Sequence, residues 1–342
     1  MVFKSVFKTI LLITISSASI MNAQEFTKAG SSAAQFLKIP VGAKAVSMGS
    51  AFTSIANDVS ALYWNPAGIA KFDRISMNFT NTQWIADMNH NYFGMVLPLD
   101  GVSSVGIGVI QFSTGQIENT TILQPKGTGI FYDAEDLAVS VSYARQLIEQ
   151  VSVGVSAKYV SQRIWNTTAQ TVAFDLGILL NTGFHDLKMG FSFQNFGPEL
   201  TMKGSDLVKT VDLDPNSETN PLVESNLTTQ PFSLPTSYRA GISMAIIGNS
   251  GMAQIVSSSL IVSAEALHLN DNFEHYSVGL EYGFMDMFFL RGGYVFNTDE
   301  EGLTLGSGLS FNLGSSVITF DYAYADFGVF NGINIFSLYV NP

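Results

Sequence analysis

Cysteine is absent from the 342-residue chain, which excludes disulfides, thiolate metal sites and lipid attachment at a lipobox. Charge is scarce: Asp, Glu, Lys and Arg make up 13% of residues, about half the share usual in soluble domains. What charge there is leans acidic, with 16 Lys and Arg against 28 Asp and Glu. Without clustered cations to neutralise phosphates, nucleic acid is excluded as a partner. Beyond the N-terminal segment, no apolar run reaches the ~18 residues of a membrane-spanning helix. Catalytic signatures are missing too. There is no Gly-x-Ser-x-Gly, no phosphate loop, no Gly-x-Gly-x-x-Gly and no His-Glu-x-x-His. His90, His185, His268 and His275 are scattered, so no enzyme, metal site or cofactor is expected.

The first residues are informative. Lys4 and Lys8 precede an apolar run from Ile10 to Ile20, and Met21-Asn22-Ala23 follows. This is the pattern of a secretory signal peptide over 1–23, cleaved after Ala23, and the run is too short for a spanning helix. Cleavage removes both lysines and leaves 14 basic against 28 acidic residues. Aromatics are 12% of the chain, nearly matching its charged residues. An exported chain with few charges, many aromatics and no spanning helix points to a transmembrane β-barrel, with a secreted solenoid or sandwich as the competitor.

From Arg74 onward the hydropathy alternates with period two, as in Tyr276, Val278, Leu280, Tyr282 and Phe284 against His275, Ser277, Gly279, Glu281 and Gly283. Such segments number about fourteen: 75–84, 90–99, 102–112, 135–147, 151–164, 170–182, 187–196, 235–247, 257–268, 274–284, 287–297, 302–312, 316–325 and 333–340. An even count suits a closed antiparallel barrel. Even-numbered connections are mostly tight and both long loops, 113–134 and 197–234, are odd-numbered, which matches a barrel with short periplasmic turns and long outer loops. Tyr282, Phe284, Tyr322, Tyr324, Phe336 and Tyr339 are expected in interfacial girdles. The fold class is all-β: a transmembrane antiparallel β-barrel of about 14 strands over 75–342.

Residues 24–74 do not alternate. They are rich in Ala, Ser and Gly, and the spacing of Met48, Phe52, Ile55, Val59, Leu62 and Tyr63 predicts a helical segment within 46–72, after an extended lead-in over 24–45. Asn65-Pro66 followed by Gly68 ends it. This amount of chain fits an N-terminal, partly helical plug, or hatch, in the lumen. Lys158, Asp175, Glu265, Glu281, Arg291 and Asp321, together with Lys188 and Arg239, fall on the polar strand faces. They are expected in the lumen, holding the plug or filtering solutes.

Three runs carry a resemblance: Gly30 to Pro40, Gly42 to Phe52 and Ala61 to Gly68. Together with Asn57, Asp58, Tyr63, Trp64, Asn65, Pro66, Ala67 and Gly68 as a plug motif, they resemble the N-terminal region of the PorV/PorQ family, outer-membrane proteins related to FadL-type barrels. The resemblance implies a fourteen-stranded barrel with a hatch in the outer membrane of a Gram-negative bacterium, surrounded by outer-membrane lipid. It also implies a docking or accessory role in type IX protein secretion, with a protein partner from the secretion or assembly machinery. The alternative it implies is a FadL-type passive uptake channel with a hydrophobic ligand. A docking surface is expected on the acidic loop 197–234, through Asp206, Asp212, Asp214, Glu218 and Glu224. Within this loop, Asp212-Leu-Asp214-Pro-Asn216 resembles the opening of a calcium loop, but Ser217 stands at the glycine position and Val223 at the final acidic one. Ile122, Leu123, Ile130 and Phe131 in loop 113–134 are candidates for a ligand groove or a partner-facing patch.

Overall fold

The computed structural model describes residues 28–213, 222–249 and 251–342. The signal-peptide reading of 1–23 lies outside the described residues, as do Asp214 and Glu218. Fourteen strands form the wall: β1 (Ser76–Gln83), β2 (Asn89–Pro98), β3 (Ser103–Ser113), β4 (Ala134–Ile148), β5 (Val151–Ile164), β6 (Thr167–Asn181), β7 (Lys188–Phe196), β8 (Ser237–Ile247), β9 (Ser258–Leu269), β10 (Asn272–Phe284), β11 (Phe288–Phe296), β12 (Leu303–Leu313), β13 (Ser316–Ala325) and β14 (Ile333–Asn341). Each pairs antiparallel with its neighbours in sequence. The last returns to the first, Met77 opposite Val340 through Gln83 opposite Asn334, so the sheet has no free edge. Every strand lies within three residues of its expected position. Connections 99–102, 149–150, 285–287 and 314–315 cluster at one end, and both long loops lie at the other.

Alternation decides which side each residue takes. On β1, Ser76, Asn78, Thr80 and Thr82 are buried against the lumen while Phe79 is exposed outward. The outward set around the barrel is overwhelmingly apolar and exposed, including Tyr282, Phe284, Tyr322, Tyr324 and Phe336, which is the surface a bilayer solvates. Tyr339 departs from the girdle expectation. It lies on the opposite parity of β14 and is buried in the lumen.

The expected plug is present, but it is not one helix. Residues 43–47 and 61–64 make short α turns, and 35–38 and 66–71 make 3-10 turns, so the lead-in is not fully extended either. Gly49, Ser50 and Ala56 take positive φ between the turns, which breaks any continuous helix. The three-and-four spacing reflects apolar residues turned toward a common core in a compact coil. Trp64 is fully buried, edge-on to Phe52 at 6.2 Å and Tyr63 at 5.0 Å. Its indole Nε1 donates to the Val41 carbonyl at 2.8 Å.

The lumen wall meets this coil through glycines. A Cβ on Gly154, Gly177, Gly190, Gly279, Gly293 or Gly306 would lie under 3.0 Å from plug atoms, at Pro66, Asn65, Thr53, Met48, Gly49 and Ser47 respectively. These glycines sit on β5, β6, β7, β10, β11 and β12, so the plug packs closely against six of the fourteen strands, on two arcs of the wall.

Candidate functional site

The plug motif reads as a set of fasteners. Asn65 accepts from the Ala67 N–H through Oδ1 at 3.1 Å, capping the turn that Pro66 opens. Its Nδ2 donates to the carbonyls of Thr53 and of Ile178 in β6, both at 3.0 Å, tying plug to wall. Gly68 is required because a Cβ there would collide with the Ala56 carbonyl. Asp58 accepts from the Ser60 N–H and hydroxyl, and Asn57 accepts from Lys44. Tyr63 donates through Oη to the Leu37 carbonyl at 3.2 Å, while Gln194 of β7 donates to the carbonyls of Tyr63 and Trp64.

The lumen charges resolve into pairs. Lys158 Nζ lies 2.7 Å from Asp175, and Arg239 Nη1 lies 2.9 Å from Glu265, with the Arg239 guanidinium 4.7 Å over the Trp64 ring. Arg291 holds Glu281 at 2.5 Å and Asp321 at 2.8 Å, and Lys44 of the plug approaches Glu281 at 3.8 Å. Glu265 also accepts from the Thr53 N–H of the plug at 2.8 Å. Of these, Glu265 through Thr53 and Glu281 through Lys44 link the wall to the plug, while Lys158–Asp175 and Arg291–Asp321 pair within the wall. Lys188 pairs with Asp186 at the short-turn end.

Above the plug, at the long-loop end, a cavity of about 610 Å³ opens between residues 32–40 and the wall. Phe36, Leu37, Trp84, Phe112, Leu267 and Phe327 supply its apolar lining. Sequence reasoning did not single these residues out. Six positions of the lead-in, Gln35 to Pro40, line the cavity; they were read only as part of a resemblance.

Asp271, in the two-residue turn between β9 and β10, holds the lead-in down. It accepts from Ser32 Oγ, from Gln35 Nε2 at 2.8 Å and from Lys38 Nζ at 3.1 Å. Burial pushes its carboxyl up, but these hydrogen bonds and the Lys38 charge outweigh that, and the net shift is downward. Nearby, the Ala33 N–H donates to the Ser233 carbonyl at 2.9 Å, so the end of loop 197–234 is stitched to the plug.

Below the plug a second space of about 450 Å³ opens among Ile55, Asn57, Phe72, Gln150, Lys188 and Asn341. A larger concavity of about 700 Å³ lies on the outward face, among Phe79, Phe93, Leu309, Phe320 and Phe336. That face belongs to bilayer lipid.

The loop candidates fare differently. Ile122 and Leu123 are almost fully exposed, and Ile130 and Phe131 are about half exposed. None of the four lines the lumen cavity, so the ligand-groove expectation for loop 113–134 is corrected. Asp206 accepts from Asn166 at 3.1 Å, and Glu224 is exposed on the second strand of a two-stranded antiparallel ladder, Val208–Val211 with Val223–Asn226, that is separate from the barrel sheet. Asp212 lies just beyond the first strand of this ladder and is exposed.

The sequence pattern of the uncharacterised protein family UPF0164 matches residues 11–326. The chain belongs to that family. No curated protein matches it. Among solved structures, this UPF0164 member is similar to the CymD monoaromatic hydrocarbon channel, with 13% identity, a TM-score of 0.56, and coverage of 89% of this chain and 97% of the other. It is also similar to the toluene transporter TbuX of Ralstonia pickettii, at 13% identity and TM-score 0.54, covering 88% and 97%. The toluene transporter TodX of Pseudomonas putida is similar at 11% identity and TM-score 0.54, covering 88% and 96%. At these identities the likeness concerns the fold: a closed fourteen-stranded barrel.

Proposed function

We propose that this UPF0164 member is a non-catalytic outer-membrane channel that takes up small hydrophobic molecules from the outside. The observation that carries the proposal is the cavity of about 610 Å³ beneath the long loops, lined by Phe36, Trp84, Phe112 and Phe327 and floored by the plug. Its size falls within the range of small-molecule sites, and its lining sets an aromatic and aliphatic group, Phe36, Leu37, Trp84, Phe112, Leu267 and Phe327, among polar and charged residues. TbuX and TodX, which share the fold, are toluene transporters. The long-loop end faces the exterior in this reading, and the short-turn end faces the periplasm.

Passage inward then needs the plug to shift from its close contacts with the wall glycines. The type IX docking role implied by the PorV/PorQ resemblance draws no support from the comparisons, so the channel reading takes precedence. The test is a titration of purified protein with the neutral fluorophore N-phenyl-1-naphthylamine. Saturable binding that is weakened at least tenfold by Phe112→Asp supports the proposal. Binding unaffected by that substitution places the ligand elsewhere and overturns it.

A further inference from the structure

The polar groups of the outer cavity differ sharply in what they have left to offer a ligand. The two permanent cations, Lys38 and Arg239, are each paired with a carboxylate, and His275 is the remaining basic group of the lining. Lys38 lies against both oxygens of Asp271, at 3.1 and 3.2 Å. Arg239 is paired with Glu265 at 2.9 Å and stacked on Trp64, and its unpartnered Nε is covered. The amides are likewise occupied: Gln194 by the plug carbonyls, Asn195 by Lys158 and the Pro235 carbonyl, and Gln162 by the Ala34 N–H and Asp136.

Two carboxylates are not balanced in this way. Asp136 receives one amide hydrogen bond, from Gln162 at 3.0 Å, and has no cation in contact. Glu301, between β11 and β12, lines the cavity with no hydrogen bond or ion pair to its carboxylate among the described residues. Burial holds its carboxyl above the usual range, and the Arg239 and Lys38 charges offset this only in part. The ionised form therefore lacks a partner. The same cavity is lined by Phe36, Trp84, Phe112 and Phe327, and aromatic ring faces attract cations as well as apolar groups.

We infer that the outer cavity selects amphiphiles with an apolar or aromatic body and a basic nitrogen, and discriminates against carboxylate-bearing ones. This deepens the channel proposal and rests on it. A protonated amine placed against Glu301 or Asp136 supplies the missing countercharge, whereas a fatty-acid-like anion brings a third negative charge to a site whose permanent cations are already paired.

A matched series separates the two levels of the argument: 4-phenylbutylamine, 4-phenylbutan-1-ol and 4-phenylbutanoate, titrated at pH 7 into the full-length protein in detergent. The amine is expected to bind about tenfold tighter than the alcohol, and the carboxylate about tenfold weaker. Glu301→Gln combined with Asp136→Asn is expected to bring the amine down to the alcohol's affinity while leaving the alcohol unchanged. Retained alcohol binding shows that the variant is folded. Carboxylate binding as tight as amine binding in the wild type overturns the inference, as does an amine affinity that survives the double substitution; both leave the channel proposal standing. Failure of all three ligands, the neutral alcohol included, removes the channel proposal and the inference with it.

Discussion

Replacing Arg291 with Met tests whether the plug is held by the lumen ion network. Arg291 is 2% exposed and bridges Glu281 and Asp321, whose side chains are 6% and 2% exposed. Met fills much of the same space but leaves two buried carboxylates with only Lys44, 3.8 Å from Glu281, as a countercharge. Stranding one partner of a buried pair costs about 3–5 kcal/mol. At about 2 °C per kcal/mol for a chain of this size, the unfolding midpoint falls by about 6–10 °C. Heat-modifiable electrophoresis, in which folded and unfolded barrels migrate differently, reads this midpoint directly. Adding Glu281→Gln and Asp321→Asn removes the stranded charges and should restore most of the loss. If Arg291→Met unfolds within 2 °C of the wild type, or the triple variant is no better than the single one, the network is not what secures this part of the plug.

Two further predictions follow from the glycine contacts and the latch. A side chain at Gly177 would fall on Asn65 Oδ1 and crowd Pro66, so Gly177→Val should unseat the plug and produce open-pore conductance in planar bilayers where the wild type is closed; a silent variant would show that the contact does not seal. Because the folded carboxyl of Asp271 is depressed, its stabilising effect is present above the unfolded Asp range near ~3.9 and lost as pH falls through the lower folded value. Hydrogen exchange of amides 33–38, corrected for intrinsic rate, should be flat from pH 8 to 5 and rise below about pH 4. In Asp271→Ala it should be fast throughout, and equal protection in variant and wild type would rule out the latch.

The barrel was legible because its physics is periodic. Each strand faces lipid on one side and plug on the other, so alternation marks the strand wherever it runs, and loop parity then fixes the ends. The lumen charges were legible for the same reason: Lys158, Asp175, Glu265, Glu281, Arg291 and Asp321 all occupy the polar parity, though which cation meets which carboxylate depends on a register that sequence does not state.

The plug was legible as a mass of chain but not as a shape. Its apolar spacing imitates a helix because a compact coil buried on all sides also turns large residues inward every few positions, while the positive φ at Ser50 and Ala56 has no reliable residue signature. The outer cavity was the least legible. Phe36, Trp84, Phe112, Asp136, Asp271 and Glu301 come from separate elements, and only closure of the barrel brings them together. A usable signal was present in Gln35-Phe36-Leu37-Lys38, an apolar pair flanked by polar residues outside any strand, whose polar members both reach Asp271.

In the channel reading a small apolar molecule binds above the plug, beside Trp84. Of the three tryptophans, Trp64 lies within the plug and Trp165 stacks on Tyr132 at 5.4 Å, leaving Trp84 as the indole that lines the outer cavity. The deciding measurement is a toluene titration of the Trp64→Phe, Trp165→Phe variant, followed by Trp84 fluorescence in detergent. Binding at this cavity gives a saturable change in Trp84 emission that Leu267→Asp abolishes. A linear, unsaturable response that Leu267→Asp leaves unchanged would mean that toluene partitions only into detergent, and would contradict the claim.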